Sequence, residues 1–195
     1  MTEFSYAVKP RSTREIATAA EAFLQRHAPA HLNEPGRLDV ATLVDHGLER
    51  AGISVYPVPM EELPDSEAEA RAGVGDWLEI WMRSEFYESL FTWDSRSVRA
   101  RSTLAHEIGH CVLHGQEVRA GRHRPQLLAL RRAPRARLKP YQDSEWQAHA
   151  FAGALLMPRA TVRRVDLDDV ACIAETYGVS DPFVASYRKR MERIL

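Results

Sequence analysis

The sequence predicts an α+β fold in which a short mixed β-sheet packs on helices. Three observations lead to this prediction. Short β-rich segments lie at residues 53–58 and 77–82. Segments with helical spacing of apolar residues flank them. Residues 102–115 form an apolar helical run around the pattern His-Glu-x-x-His.

Two helices are predicted ahead of the strands, and we interpret both as scaffold. Ser12-Thr13-Arg14-Glu15 fits a capping box at the start of a helix that runs to about His27. Asp39 is expected to cap the second helix, which Gly52 ends. The buried face of that helix is an apolar stripe of Val40, Leu43, Val44 and Leu48.

The strands are predicted between residues 53 and 93. Ile53–Val58 is β-rich, and Pro57 is typical of an edge strand or a strand end. Residues 61–72 are acidic and predict a solvated loop or a turn of helix. In residues 77–82 the apolar side chains alternate, which predicts a strand with one apolar face. Residues 90–93 fit either a further strand or a helical turn that starts near Glu85.

The His-Glu-x-x-His pattern has a direct chemical interpretation. His106 and His110 are four residues apart, so on a helix their imidazoles share one face and can bind one tetrahedral Zn²⁺. Glu107 lies about 100° around the helix from His106, where it can accept a proton from a metal-bound water. Gly115 is predicted to end this helix. The pattern indicates the catalytic helix of a zinc metallopeptidase.

A catalytic zinc ion needs a third protein ligand. His114 continues the stripe of His106 and His110, but it lies about 12 Å along the helix axis from His106. One metal therefore cannot bind all three histidines.

The third ligand is expected from a second helix that begins near Ser144. Ser144 and Gln147 fit a capping box, and Glu145 would project from the first turn. We therefore predict a His₂Glu site that includes Glu145. His149, one turn further on, is the alternative, either as a ligand or as a side chain that orients a ligand histidine.

The sequence resembles a known family in three motifs. Residues 104–110 are Leu-Ala-His-Glu-Ile-Gly-His, residues 145–152 are Glu-Trp-Gln-Ala-His-Ala-Phe-Ala, and residues 155–158 are Leu-Leu-Met-Pro. In this combination the chain is similar to the ImmA/IrrE-type metallopeptidases over roughly residues 100–158.

The resemblance implies a small zincin-like core, with zinc bound by His106, His110 and Glu145 and with Glu107 as catalytic base. It also implies a helix-turn-helix repressor as the protein that is cleaved or inactivated, often in a stress response. His149 stands where the family usually has Asn or Asp. If that side chain orients a ligand histidine, the replacement would change metal affinity or metal choice. The ligand set favours Zn²⁺, and Mn²⁺ is the alternative metal.

Composition restricts the partners. A formal net charge of −1 gives no overall attraction to nucleic acid or to a membrane. Residues 119–139 nevertheless carry eight Arg or Lys and no acid, which predicts a solvated loop, a flap or a surface for an acidic partner. Residues 126–132 within this segment fit a short helix. The cysteines, Cys111 and Cys172, are expected to be buried and reduced.

Three parts are predicted along the chain. They are an N-terminal helical arm at residues 1–36, the zincin-like catalytic core at residues 37–160, and a C-terminal helical arm at residues 161–195. The basic helix of the last arm is faintly similar to a DNA-binding helix-turn-helix, although a docking or scaffold role is favoured. The N-terminus has no apolar signal core, so a cytoplasmic protein is expected.

Together the motifs predict a cytoplasmic zinc endopeptidase that acts on a regulatory protein. The oxyanion donor stays open among Tyr141, His123 and an Arg of the basic segment. Two alternatives are a regulatory DNA-binding or protein-binding module with a structural or vestigial zinc site, and a metal-dependent hydrolase of other bonds. An exposed strand edge beside the metal would bind an extended peptide substrate. The oligomeric state is left open.

Overall fold

The computed structural model describes residues 4–63, 70–74, 78–92, 94–122, 132–192 and 194. Its α-helices are α1 Thr13–His27, α2 Val40–Thr42, α3 Leu48–Arg50, α4 Ser84–Ser89, α5 Ser95–Arg122, α6 Ser144–Leu156, α7 Arg159–Val162, α8 Val170–Tyr177 and α9 Asp181–Met191. Its strands are β1 Phe4–Tyr6, β2 Ile53–Val58, β3 Ala70–Val74, β4 Leu78–Arg83 and β5 Arg132–Pro134. The predicted α+β class is confirmed.

The first helix is determined by its own sequence. In α1 the Ser12 hydroxyl accepts a hydrogen bond from the Glu15 N–H, and the Glu15 carboxylate accepts one from the Ser12 N–H at 2.7 Å, so the capping box is confirmed. Ile16, Leu24 and Phe23 are buried on one face. Phe23 meets Phe151 of α6 edge to face, with ring centroids 6.3 Å apart.

The predicted second helix contains a wider turn. Asp39 caps its start by accepting a hydrogen bond from the Thr42 N–H at 3.0 Å, as expected. Leu43–Gly47 then forms a π-helical turn between α2 and α3. The chain leaves α3 at Gly52, whose φ of 70° suits a residue without a side chain.

The main sheet is mixed and has the strand order β2-β4-β3. β2 runs parallel to β4 and lies at an edge, as Pro57 predicts, while β3 runs antiparallel on the other side. Ile80 and Met82 are fully buried on the apolar face of β4. Residues 70–72, which were predicted to lie in a loop or a turn of helix, belong to β3. Residues 90–92 form a turn that follows α4 and not a strand, so the helical alternative near Glu85 is the one observed.

The helix that carries His-Glu-x-x-His is longer than predicted. It continues past Gly115 to Arg122, so Gly115 does not end it. A Cβ at this glycine would lie 2.7 Å from the Leu78 side chain of β4. Gly115 therefore serves close packing against the sheet, and the segment after it is helical to residue 122 rather than irregular.

A small ribbon fixes the start of α6. β1 pairs antiparallel with β5, and the Ser5 hydroxyl donates to Asp143 Oδ1 at 2.6 Å. Asp143 also accepts a hydrogen bond from the Glu145 N–H, so the cap of α6 is Asp143 and not Ser144 as predicted. The Ser144 hydroxyl lies 3.0 Å from the Ser5 hydroxyl.

The C-terminal helices pack back on the core. Gly178, with a φ of 62°, ends α8, and the Ser180 side chain accepts a hydrogen bond from the Phe183 N–H at the start of α9. The buried Tyr187 hydroxyl of α9 donates to the Met157 carbonyl at 2.8 Å. The division of the chain into two arms and a core stays a prediction.

Several remaining predictions concern single segments. Cys111 is buried as expected, whereas Cys172 is exposed, so the prediction for Cys172 was wrong. Of the proposed short helix at residues 126–132, only Arg132 is described, and it begins β5. Within the described residues, no helix has the length and apolar character that a membrane crossing requires.

The close approach of α5 to α6 gives the first testable prediction. A Cβ added at Gly109 would lie 3.0 Å from the Ala148 carbonyl oxygen and 3.1 Å from the Ala148 Cα, and backbone atoms cannot move aside easily. We expect Gly109→Ala to lower the free energy of unfolding by roughly 1–2 kcal/mol, since overpacking outweighs the gain in helix propensity. Chemical denaturation measures this difference.

Gly36→Ala is the matched control. Gly36 has no atom within 4 Å of an added Cβ. Its substitution should leave the free energy of unfolding unchanged within about 0.5 kcal/mol. Equal stability of the two variants would contradict the proposed tight contact between α5 and α6.

Candidate metal centre

Two helices bring three candidate ligands to one point. His106 and His110 lie one turn apart on α5, and Glu145 lies in the first turn of α6. His106 Nε2 is 3.0 Å from His110 Nε2. The two Glu145 oxygens lie 3.2 Å from these nitrogens, Oε2 near His106 and Oε1 near His110. The structure thus brings together the three residues that the sequence suggested as ligands.

The spacing of these atoms fits a zinc ion. Ligand atoms about 2.1 Å from a tetrahedral zinc are roughly 3.4 Å apart, which is close to the separations seen here. One ligand atom from each side chain lies within 4.8 Å of the others. The two histidine side chains are 13% and 19% exposed, and that of Glu145 is 26% exposed, so solvent reaches the open side of the group. A catalytic zinc ion uses three protein ligands and keeps one position for water, and the number and spacing of the ligand atoms here are compatible with that requirement.

The group is strongly polarised. Burial alone would raise the pKa of Glu145, but hydrogen bonds with His106 and His110 outweigh it and hold that pKa far below its usual range. Burial alone would lower the pKa of His110, but Glu145 and the charge of Glu107 raise it. The site therefore stabilises positive charge between the imidazoles and the carboxylates, and a metal cation would compete with the proton on His110.

Glu107 is buried, with 8% of its surface exposed. Its Oε2 accepts a hydrogen bond from the Ala72 N–H of β3 at 2.6 Å. Because this N–H is used by Glu107, it points away from β4, towards the open edge of the sheet. Ala72 of β3 thus binds Oε2 of the Glu107 carboxylate, and Oε1 takes no part in this hydrogen bond.

A chain of hydrogen bonds fixes the proton position on His110. The Gln147 amide nitrogen donates to the Lys9 and Tyr141 carbonyls at 2.9 and 2.8 Å, so its oxygen faces His114 Nε2 at 3.2 Å. Burial, followed by the charge of His110, lowers the pKa of His114 to about 3, which keeps this ring neutral.

Neutral His114 therefore donates from Nε2 to Gln147 and accepts at Nδ1. His110 Nδ1 lies 3.3 Å from that Nδ1 and must be the donor. The proton of a neutral His110 is thus held on Nδ1, and its Nε2 lone pair faces His106 and Glu145. Gln147, two residues beyond Glu145, determines which nitrogen of His110 is free for a metal.

Comparison with known proteins agrees with this geometry. The model of peptidase family M78, described as an IrrE N-terminal-like domain, matches residues 94–186. Residues 94–186 belong to this IrrE N-terminal-like family. The matched segment contains α5 and α6, the two helices of the candidate centre. Because the family is one of peptidases, the match supports the interpretation of this protein as a metallopeptidase. The comparison with curated proteins gave no match.

Nearly the whole chain is similar in fold to a solved structure. It is a Mycobacterium tuberculosis transcriptional regulator, with 19% sequence identity and a TM-score of 0.55. The similarity covers 93% of this chain and 48% of that regulator, so the chain spans about half the regulator's length. At this identity the similarity shows the fold alone.

Sequence reasoning missed two residues of the IrrE-like site. It placed His114 outside the ligand set, and it gave no role to the contact between His114 and His110. It used Gln147 only as part of a capping box, whereas the Gln147 side chain joins three segments of the chain. The sequence did contain a sign of the contact between His114 and His110, because His106, His110 and His114 follow one another at four-residue spacing. Nothing in the sequence indicated the partners of Gln147.

His149 does not join the ligand group of the IrrE-like domain. Its ring packs against that of His106 with centroids 4.2 Å apart, and the group that fits a metal contains only the three side chains described above among the described residues. His106 Nδ1 is buried and has no hydrogen-bond partner in the described part of the chain. Among the described residues, His149 therefore packs on the candidate ligand His106 without a hydrogen bond to it.

The oxyanion donor stays a prediction. Tyr141 is 42% exposed, and its ring centroid lies 5.9 Å from the Lys139 ammonium. His123 lies outside the described residues. Arg135, from the basic segment, pairs with Asp143 at 3.0 Å.

Proposed function

We propose that this protein is a zinc-dependent metalloendopeptidase whose metal is bound by His106, His110 and Glu145. The observation that carries the proposal is the convergence of these ligand atoms within 4.8 Å, next to the buried Glu107. The peptidase family match supports it, because residues 94–186 include all four side chains. Mn²⁺ is the alternative metal.

A zinc ion held by His106, His110 and Glu145 would lower the pKa of a water to about 7 and would polarise the scissile carbonyl. Glu107 acts as the general base of the proposed reaction. Its Oε2 accepts the Ala72 N–H, which leaves Oε1 to take the proton of the attacking water. The same carboxyl group then passes this proton to the leaving amine.

We propose that the substrate is a protein that binds as an extended strand. β3 is the edge of the sheet that lies against α5, and its open side faces Glu107. An added strand there would bring a backbone carbonyl near the metal, with hydrogen bonds that do not depend on sequence. The family resemblance favours a helix-turn-helix repressor as this protein, which would place the reaction in the cytoplasm.

Glu107→Gln tests the proposed base. Gln cannot take a proton, so cleavage should fall by about 10²- to 10⁴-fold while zinc binding is retained. The assay is mass spectrometry of a proteome-derived peptide library and of a candidate repressor, with the zinc content measured on the same samples.

Cleavage by Glu107→Gln at the rate of the unsubstituted protein would remove the proposed base.

The second candidate function is that of a regulatory DNA-binding protein. The basic helix α9, which follows α8, favours it. No cleavage by the zinc-loaded protein, together with DNA binding that weakens with salt, would favour this candidate.

A matched pair of variants tests the role of His114 as a positioning residue. His114→Leu removes the acceptor for His110 Nδ1–H, and we expect a 10- to 100-fold loss of zinc affinity. His114→Asn retains an acceptor near the same place and should keep most of the affinity. Competition with a chromophoric chelator measures both, and equal losses would mean that His114 contributes only packing.

The role of the hydrogen bond from the Ala72 N–H to Glu107 can be tested by a change in the backbone. Ala72→Pro removes the donor to Glu107 at an edge position where proline is tolerated. We expect kcat to fall by roughly tenfold, about the effect of one net hydrogen bond, with zinc affinity unchanged. Ala70→Pro is the control, because by strand alternation its N–H also faces the open edge. Equal activity of the two variants would exclude a role for the Ala72 bond.

A further inference from the structure

A cavity of about 250 Å³ lies between α6 and α9, next to the candidate metal centre. His149 and Gly153 of α6 form one wall, and Phe183, Ser186, Tyr187 and Arg190 of α9 form the other. The His149 ring also packs on the His106 ring, with centroids 4.2 Å apart. Pockets for whole small molecules occupy about 300–1,000 Å³, so this cavity suits a single side chain of a bound peptide.

The walls of this cavity are held in place. The Tyr187 hydroxyl donates to the Met157 carbonyl, so the ring cannot swing into the space. Gly153 makes room for that ring, because a Cβ there would lie 2.5 Å from Tyr187 Cδ2. The cavity is therefore part of the packed interface between α6 and α9.

Arg190 is the charged group of the cavity. Its Nη1 donates to the Ser186 carbonyl and hydroxyl oxygens. Among the described residues, no carboxylate pairs with this guanidinium, and no hydrogen bond uses its Nε or Nη2. Burial and the nearby charge of Arg135 lower the pKa of Arg190, so its described surroundings disfavour the positive charge of this side chain.

A second arginine of the same protein shows what the unused edge of Arg190 can bind. Arg159 donates from Nε to Glu21 Oε1 at 2.9 Å and from Nη2 to Oε2 at 2.5 Å. Such a two-point contact is the preferred geometry between arginine and a carboxylate. In the described part of the chain, Arg190 leaves the same two nitrogens available beside the candidate metal centre.

We propose that this cavity is a specificity subsite, in which Arg190 binds the carboxylate of a Glu or Asp side chain close to the scissile bond. The inference rests on the proposed peptidase function and specifies its substrate class. A neutral side chain would leave the Arg190 cation partly buried without a partner. A basic side chain would face like charge from Arg190 and Arg135.

Peptide cleavage profiles provide the first test. The zinc-loaded protein should prefer library peptides that carry Glu or Asp at one fixed position near the cleaved bond. We expect it to cleave them about 10- to 100-fold faster than peptides with Gln or Asn at that position, which corresponds to the free energy of one charge-assisted hydrogen bond. Arg190→Gln should lose this preference, and Arg190→Glu should favour Lys or Arg at that position. Mass spectrometry of the products gives the preferences.

Arg188→Gln is the matched control. Arg188 lies on the same helix but pairs with Asp168 at 2.9 Å, away from the cavity. This variant should keep the acidic preference. An unchanged preference in Arg190→Gln, or cleavage by the unsubstituted protein without an acidic preference, would overturn the proposal.

A second measurement does not need activity. In ¹⁵N-labelled Glu107→Gln protein, the Arg190 Nε–H signal is identified by its absence from the double variant with Arg190→Gln. Titration with acetyl-glutamyl-methylamide should shift this signal with a dissociation constant of about 1 mM, whereas the acetyl-glutaminyl analogue should not. Equal or absent shifts with both compounds would reject the subsite. If no peptide is cleaved but the glutamyl compound binds, the peptidase proposal fails and the subsite stands.

Discussion

The close approach of α5 and α6 is the constraint on which the candidate centre depends. Gly109 lies between the two candidate ligand histidines, and its missing side chain lets the Ala148 backbone come into contact. Glu145 is one turn before Ala148 on the other helix, so the same contact brings its carboxylate within 3.2 Å of both imidazoles. A bulkier residue at the crossing would separate the carboxylate from the histidines.

Polar groups around this crossing orient the ligands. Asp143 caps α6 and also accepts a hydrogen bond from Ser5 of the small ribbon, so the first turn that carries Glu145 is anchored at its start. On the other side, Gln147 and His114 hold the proton of His110 on Nδ1. Buried imidazoles need such partners, because the wrong tautomer would present an N–H to a cation.

In the proposed enzyme, the main sheet and the C-terminal helices would decide which substrates reach the centre. β3 lies on one side, where its Ala72 N–H holds Glu107. α9 packs against α6, and there Arg190 lines the cavity beside His149. In the proposed enzyme, a peptide bound along β3 would present its backbone to the metal and one side chain to this cavity. Backbone recognition and side-chain selection would thus come from separate elements of the fold.

The sequence by itself determined the local structure and the chemistry of the candidate centre. The capping box of α1, the alternation of β4 and the four-residue spacing of His106 and His110 depend on neighbours in the chain, so they can be read directly. Glu145 followed from the ligand number of catalytic zinc and from its place in a helical first turn.

Only the tertiary structure decided the features that join distant segments. The sequence predicted that Gly115 ends a helix, whereas in the structure Gly115 allows close packing against the Leu78 side chain. Asp143, and not Ser144, caps α6, and Asp143 also accepts a hydrogen bond from Ser5 of the ribbon. The His110–His114–Gln147 chain and the Arg190 cavity likewise depend on groups far apart in sequence. Hydrogen-bond partners and packing neighbours of this kind are set by distance in space, which the order of residues along the chain does not specify.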